Sequence, residues 1–245
     1  MGSIGDAAVT VYTAPHSWYA QRVRIALEEK GIAYTPIDVN LANRPQGLLD
    51  ANPIYKKIPT IVHNGKPVAE SLIIMEYLED EWSTQVPLLP KDAYERSQVR
   101  SWADYIYKSA DILLDYKLVN PARSIPGSPE QKAAQEASVN FLRTLESAMT
   151  SFSKDGPFFT GATFGYLDVV VAPFPNLLTL AEKLGGVPVP GADELPRLYK
   201  CMETCAARPS YKAVIPSKEE ALQFFTALIE KRKKAAAEAA AAAST

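Results

Sequence analysis

Residues 52–82 read NPIYKKIPTIVHNGKPVAESLIIMEYLEDEW and contain the clearest structural signals of the chain. Pro59 precedes an apolar run, which places it at a strand entrance, where its missing N–H breaks no ladder. Asn64-Gly65 is the strongest short hairpin signal, and a second strand is expected after it. A helix then opens with Ser71 as its expected cap. The stretch predicts a hairpin followed by a helix start, where unpaired N–H groups bind a carboxylate or phosphate readily.

The residues before this stretch alternate between strand and helix patterns. Strands are predicted over Val9–Thr13 and Tyr34–Val39, with a helix between them that stops at Gly31. A short helix is predicted over Gln46–Ala51. Because strand–helix–strand units cross right-handedly, this part predicts a mixed sheet with helices on its faces.

The pattern changes after residue 82. The residues STQVPLLP at 83–90 break all periodicity and indicate a linker. Beyond the linker, apolar residues recur at helical spacing and predict helices over 99–118, 133–152, 167–184 and 195–205. We therefore expect an α/β domain at 1–82, a linker at 83–90, an all-helical domain at 91–230 and a flexible Ala-rich tail at 231–245.

One helix start in the second domain has a capping pattern. Gly165 would be the cap of the most apolar helix, and Asp168, three residues later, would satisfy its first N–H groups and complement the helix dipole. We assign both residues a structural role. Replacing Asp168 by Ala is expected to lower stability and to leave substrate affinity unchanged.

Composition limits the classes of function. The 245 residues carry a formal net charge of −2, which gives no basic footprint for nucleic acid, and no apolar run is long enough to cross a bilayer. The N-terminal residues lack the pattern of a secretory signal. Cys201 and Cys205 fit a reducing cytosol and are expected in the core. The sequence predicts a cytoplasmic protein without nucleic-acid or membrane partners.

Most catalytic signatures are missing from the sequence. Two histidines cannot supply a zinc site, and no Walker loop, nucleophile elbow or dinucleotide fingerprint occurs, so no metal is expected. The remaining candidate is the loop before the first helix, where Ser17 precedes Trp18 and Tyr19. From the residues alone, Ser17 is an ordinary N-cap candidate.

Two motifs suggest a second interpretation of the loop that carries Ser17. Residues 52–82, with NP-x-x-KKIP, HNGKP and ESL, closely resemble the glutathione-binding half of glutathione transferases, most of all the plant tau class. Residues 17–27, SWYAQRVRIAL, are similar to the tau pattern S-P-F-x-x-R-V-x-I-A-L. The resemblance runs without gaps from about Val9 to Trp82 and is generic beyond it, apart from the capping segment at Gly165.

The resemblance implies a fold and a mechanism. The fold would be α/β plus all-α, with a thioredoxin-like N-terminal domain and a C-terminal helical bundle. Pro59 would follow a cis peptide bond. Ser17 would donate its hydroxyl to the glutathione sulfur and stabilise the thiolate, which is the nucleophile. Trp18 and Tyr19 replace the Pro and Phe of the pattern, and Tyr19 is the alternative catalytic hydroxyl. Tyr12, another hydroxyl nearby, is expected to pack.

The same resemblance assigns the contacts of glutathione, the co-substrate. Lys57 would approach the glycyl carboxylate, and the backbone of Ile58 would pair with the cysteinyl part. Glu70 would face the γ-glutamyl ammonium and Ser71 its carboxylate. The residues implied to bind glutathione are Arg44, Lys57, Ile58, Pro59, Glu70 and Ser71.

The helical domain is implied to supply the acceptor pocket for a small hydrophobic electrophile. Aromatic residues on these helices are more often core or interface residues, so they are weak candidates. The acceptor candidates are Trp18, Tyr19, Tyr107, Lys108, Asp111, Phe224 and Phe225.

The resemblance predicts a homodimeric glutathione S-transferase that conjugates glutathione to this electrophile. A glutathione-dependent isomerase or peroxidase is one alternative, since zeta-class members share the RVRIAL helix. A non-catalytic binding or regulatory protein is the other. Thiol–disulfide reduction is disfavoured because that chemistry requires Cys where Ser17 stands.

Overall fold

The computed structural model describes residues 9–114, 127–152 and 155–243. Its N-terminal part contains a four-stranded sheet in the order β2-β1-β3-β4. The parallel pair β1–β2 and the antiparallel pairs β1–β3 and β3–β4 make the sheet mixed, as predicted. The strands are β1 Val9–Thr13, β2 Tyr34–Asp38, β3 Thr60–His63 and β4 Lys66–Ala69.

The hairpin between β3 and β4 follows the predicted turn. Asn64 and Gly65 both have positive φ, 49° and 77°, as a two-residue type I′ turn requires. The turn sets the register, and Thr60 therefore lies opposite Ala69 at the far end of the hairpin.

Each outer strand of the sheet carries a proline. Pro36 lies in β2 opposite Val11, and the N–H of Val39 donates to the carbonyl of Thr13 at 2.8 Å. Because successive N–H groups along a strand point to opposite sides and that of Val39 points to β1, the backbone nitrogen of Pro36 faces away from β1. Pro67 lies in β4 opposite Val62, in the pair next to the one that closes the hairpin, and its nitrogen faces outward by the same alternation. Neither ring removes a ladder bond.

Three helices accompany the sheet: α1 Trp18–Lys30, α2 Gln46–Ala51 and α3 Ser71–Glu81. As predicted, α1 stops at Gly31, which has the left-handed φ of 64° and donates its N–H to the carbonyl of Glu28 at 3.1 Å. The helix buries Val23, Ala26 and Leu27 completely.

The described residues after 92 form helices, apart from turns, connecting loops and one β-bridge between Phe158 and Gly161. They confirm the predicted helical second part. The helices are α4 Ala93–Ser109, a 3₁₀ helix Ala110–Leu114, α5 Pro129–Phe152, α6 Tyr166–Val171, α7 Phe174–Gly185, α8 Pro196–Ala206, α9 Pro209–Val214 and α10 Lys218–Ala243.

The single helix predicted over 167–184 is wrong. The helix is interrupted between α6 and α7 because Pro173 has no N–H to donate and its ring clashes with a continuing helix. Pro175 is tolerated because it lies in the first turn of α7. The helix predicted over 99–118 begins earlier, at Ala93, and tightens to 3₁₀ at Ala110; positions 115–118 lie outside the described residues.

The contacts divide the chain into two compact units that do not follow chain order. The first takes its described residues from Met1–Asp104, Phe164–Pro173 and Cys205–Ile215, and the second from Tyr105–Thr163, Phe174–Thr204 and Pro216–Thr245. The domain limits set out from the sequence stay a prediction. The tail is helical to Ala243, and its flexibility also stays a prediction.

The segment predicted as a linker is held by a buried ion pair in the first unit. The Nζ of Lys30 lies 2.8 Å from Oε1 of Glu79 and donates to the carbonyl of Val86 at 3.0 Å. The carboxylate of Glu79 also accepts the N–H groups of Leu88 and Leu89, both at 3.1 Å to Oε2. The segment is therefore tied to α1 and α3.

In the second unit, a carboxylate of one helix caps the start of another. Glu146 of α5 accepts the N–H groups of Arg197 and Leu198 at 3.0 and 2.9 Å, which caps the first turn of α8. Leu142 and Leu145 of α5 are completely buried in this unit.

Candidate functional site

Ser17 is the N-cap of α1, with extended backbone angles. Its Oγ accepts the N–H of Ala20 at 3.3 Å, so the hydroxyl proton remains available for donation elsewhere. The amide side chain of Gln21 donates to the carbonyl of Pro15 at 2.7 Å, and the N–H of Ser17 donates to the carbonyl of Ala14 at 3.0 Å. These bonds fix the loop that carries Ser17, which is half-buried.

Trp18 and Tyr19 form the first turn of α1, with their ring centroids 5.7 Å apart. The guanidinium carbon of Arg22 lies 5.3 Å from the centroid of the Tyr19 ring, within cation–π range. Arg22 is completely buried, and its Nε donates to the carbonyl of Val170 at 3.0 Å. The ring of Tyr19 is therefore packed against a fixed cation. Sequence reasoning did not single out Arg22, whose only signal is its place in the tau pattern.

The hydroxyl of Tyr12 lies against α2. A Cβ at Gly47 would be 2.4 Å from this oxygen, so the glycine is what lets the ring approach the helix. This contact agrees with the packing role expected for Tyr12.

The loop between α2 and β3 contains a cis peptide bond between Ile58 and Pro59, as the resemblance implies. Lys57 is exposed, Ile58 is half-buried and Pro59 is buried. Asn52 is the C-cap of α2, and its side chain makes three hydrogen bonds within the loop. Sequence reasoning missed this role, because nothing local indicates where the amide of Asn52 points.

Ser71 is not the helix cap that the sequence predicts. Helix α3 begins at Ser71 itself, and its N-cap is Glu70, whose side chain makes no capping bond. Glu70 has φ 73° and ψ 120°, a conformation that is rare and strained for a residue other than glycine. This φ takes Glu70 out of the helix and leaves Ser71 as the first helical residue.

The side chain of Ser71 is an unusual feature of this helix start. The residue is 1% exposed, and its Oγ has no hydrogen-bond partner within the part of the chain that the structure describes. The first N–H groups of a helix also lack partners within the helix. A buried donor beside the positive end of α3 is suited to a carboxylate.

The sheet register brings these segments together. Thr60 lies opposite both Tyr12 and Ala69, so the end of β1, the start of β3 and the end of β4 lie at one end of the sheet. The loop that carries Ser17 follows β1, residues 57–59 precede β3, and Glu70 follows β4. Arg44 is exposed in the loop before α2.

Three comparisons agree with this arrangement. The family model described as glutathione S-transferase, N-terminal domain, matches residues 7–80. Glutathione S-transferase U19 from Arabidopsis thaliana is 36% identical over 217 residues, which cover 88% of this chain and 93% of that protein. The chain belongs to the glutathione S-transferase family.

Solved structures of this family have the same fold. A tau-class glutathione S-transferase from mango, Mangifera indica, gives a TM-score of 0.82 at 34% identity and covers 90% of this chain and 98% of its own. A rice glutathione transferase solved in complex with glutathione gives 0.77 at 29% identity, with 91% and 98% covered. In the described ranges, no helix is long and apolar enough to span a membrane.

The acceptor candidates of the helical part belong to the second unit. Tyr107 and Phe225 are half-buried, Lys108 and Asp111 are exposed, and Phe224 is 45% exposed. The rings of Phe224 and Phe225 stand edge to face, 5.3 Å apart. Their role in an acceptor pocket stays a prediction.

Gly165 and Asp168 form the expected cap of α6. The N–H of Gly165 donates to Oδ2 of Asp168 at 2.8 Å, and Asp168 is completely buried. Cys201 and Cys205 are also buried, as expected.

Proposed function

We propose that this chain is a glutathione S-transferase that conjugates the glutathione thiolate to a hydrophobic electrophile. The observation that carries the proposal is the sheet register, which gathers the Ser17 loop, residues 57–59 and Glu70-Ser71 at one end of the sheet. A tripeptide needs contacts at both ends and at its reactive middle, and these three segments offer them.

The two ends of glutathione differ in charge, and so do the proposed contacts. The γ-glutamyl carboxylate takes the buried hydroxyl of Ser71 and the N-terminus of α3, and its ammonium faces Glu70. The glycyl carboxylate takes the exposed ammonium of Lys57, with Arg44 as a second cation. The backbone of Ile58, before Pro59, pairs with the cysteinyl residue.

Ser17 acts on the cysteinyl sulfur. A free thiol has a pKa of about 8.5 and is mostly protonated at neutral pH, while the thiolate is the nucleophile. The Ser17 hydroxyl donates a hydrogen bond to the sulfur, and the N-terminus of α1 adds partial positive charge. Both favour the thiolate over the thiol, and the thiol proton leaves to solvent. The sulfur then forms a bond to the electrophilic carbon, and either a leaving group departs with the bonding electron pair or, for an activated double bond, the resulting carbanion takes a proton from solvent. Ser17 forms no covalent bond.

The resemblance supports three further parts of the proposal. The protein is a homodimer, it acts in detoxification, and its second substrate contacts Trp18 and Tyr19. Sedimentation at several protein concentrations measures the oligomeric state, and a monomer at all of them contradicts it.

Replacing Ser17 by Ala tests the mechanism. We expect the variant to bind glutathione about as well as wild type and to lose about 10- to 100-fold in kcat/KM, with the acidic limb of its pH profile moved to higher pH. The measurement is turnover across a broad panel of electrophiles, together with retention on immobilised glutathione. Ser101, exposed on α4, gives the matched control variant Ser101→Ala, which keeps full activity.

The outcomes of this experiment discriminate between the serine mechanism, the alternative enzymes and a non-catalytic binding protein. Unchanged turnover in Ser17→Ala shows that the serine mechanism is wrong, and Tyr19→Phe then tests the alternative hydroxyl. Wild-type protein that is retained on glutathione but conjugates nothing is a binding or regulatory protein. Activity confined to a cis-dienone or a hydroperoxide identifies an isomerase or a peroxidase.

A further inference from the structure

The segment from residue 53 to residue 57 needs an anchor. All five residues are exposed, and Ile54 and Tyr55 are exposed by 83% and 57%. The segment therefore gains little from apolar burial, although it leads directly into Lys57 and Ile58. Its conformation has to be fixed by hydrogen bonds from buried residues at its two ends.

Asn52 and Thr60, which we call the loop anchor, stand at these two ends and are 4% and 0% exposed. The Nδ2 of Asn52 donates to the carbonyl of Lys57 at 3.1 Å and to Oγ1 of Thr60 at 3.2 Å. The hydroxyl of Thr60 donates to the same carbonyl at 2.9 Å. The Oδ1 of Asn52 accepts the N–H of Tyr55 at 3.1 Å.

The two hydrogen bonds to Lys57 fix more than one carbonyl. The carbonyl of Lys57 and the N–H of Ile58 belong to the same planar trans peptide, so they point in opposite directions. Because the loop anchor holds the carbonyl from the buried side, the N–H of Ile58 points away from it. The backbone of Ile58 is the group proposed above to pair with the cysteinyl residue of glutathione.

We propose that Asn52 and Thr60 are positioning residues for glutathione, which orient the Lys57–Ile58 peptide without touching the ligand. This inference rests on the proposed function, because it concerns the same site. The inference goes beyond the proposed function because it assigns part of the affinity for glutathione to two buried side chains that do not contact the ligand. The contribution lies in binding, since Ser17, which acts on the sulfur, belongs to another loop.

Replacing Thr60 by Val removes the hydroxyl and keeps the shape of the side chain. We expect the Kd and the KM for glutathione to rise about fivefold to tenfold, because one of the two bonds to the Lys57 carbonyl is lost and the peptide is no longer held in one orientation. The kcat at saturating glutathione stays within about twofold of wild type. Thr60→Ser keeps the hydroxyl and is expected to restore the affinity. Calorimetric titration and steady-state kinetics measure these quantities.

Thr13 provides the matched control. It is equally buried, lies at the end of the adjacent strand β1, and its Oγ1 has no hydrogen-bond partner in the described part of the chain. Thr13→Val therefore removes a buried hydroxyl without removing a bond, and its affinity for glutathione should match wild type. Asn52→Ala is the second variant, and we expect it to weaken binding at least as much as Thr60→Val, because it removes three bonds.

The outcomes separate this inference from the proposed function. If wild type binds and conjugates glutathione while both anchor variants keep its affinity, the inference is wrong and the proposed function stands. An equal loss of affinity in Thr60→Ser and Thr60→Val also overturns it, since the hydroxyl would then not be the cause. If wild type does not bind glutathione, both fail together.

Discussion

At the scale of single residues, Ser71 carries an energetic cost in the unliganded protein. Its hydroxyl is buried and has no partner among the described residues, and such a group costs about 1–3 kcal/mol when it is left unsatisfied. Glu70, beside it, adds backbone strain at φ 73°. Both costs fall on the segment proposed to hold the γ-glutamyl end, and a ligand carboxylate would offset the first of them.

Replacing Ser71 by Ala should therefore separate stability from binding. We expect the free energy of unfolding without ligand to rise by about 1 kcal/mol, because the unsatisfied hydroxyl is gone, and the affinity for glutathione to fall about tenfold. Thermal unfolding with and without glutathione measures both effects. A variant that is less stable and binds glutathione normally would make Ser71 a purely structural residue.

At the scale of secondary-structure elements, the cap of α6 depends on one buried carboxylate. We expect Asp168→Ala to lower the free energy of unfolding by about 2 kcal/mol, because the N–H of Gly165 loses its acceptor and the helix loses a favourable charge at its N-terminus. Denaturant titration measures the change. Asp168→Asn keeps an acceptor without the charge and should recover part of the loss. The affinity for glutathione should stay at the wild-type value, and an unchanged unfolding midpoint would contradict the prediction.

Local signals predicted most elements of this chain. The stop at Gly31, the Asn64-Gly65 turn and the capping pair Gly165 and Asp168 each depend on residues within a few positions of one another, so the local pattern was sufficient. The break at Pro173 was missed because an uninterrupted apolar periodicity outweighed the proline.

The site was predictable only in part. The residues implied to bind glutathione came from the resemblance, and the convergence of their loops depends on strand register, which no local pattern fixes. Arg22 and Asn52 were missed because their roles come from contacts with backbone carbonyls at Val170 and Lys57. The helical start at Ser71 depends on the unusual φ of Glu70, which sequence does not indicate.

At the scale of the whole molecule, one buried and four half-buried tyrosines make the free energy of unfolding sensitive to alkali. Burial, the largest cause in each case, raises the pKa of several tyrosines above the ordinary value of about 10, and raises the pKa of Tyr211 to about 12. These tyrosines lie in both compact units. The residues concerned are Tyr34, Tyr77, Tyr166, Tyr199 and Tyr211.

The sign of the effect follows from linkage. A raised pKa in the folded state means that folding favours the protonated phenol, so this stabilisation is complete below pH 10 and is lost as pH rises from 10 towards 12. We expect the free energy of unfolding to fall above about pH 10, so that the midpoint of denaturant unfolding, followed by circular dichroism, falls as phenolate absorbance rises. Tyr211→Phe should flatten part of this dependence. Titration of all tyrosines near pH 10 with the fold intact would contradict it.

The prolines at the two edges of the sheet restrict how this protein can associate. An incoming strand, whether from a second copy or from an unfolded chain, would meet a missing donor in the middle of β2 at Pro36 and in β4 at Pro67. Strand exchange and fibril growth are therefore disfavoured at both edges of this sheet. Association of this unit is left to side-chain surfaces, so a single surface substitution can change it without disturbing the backbone ladder.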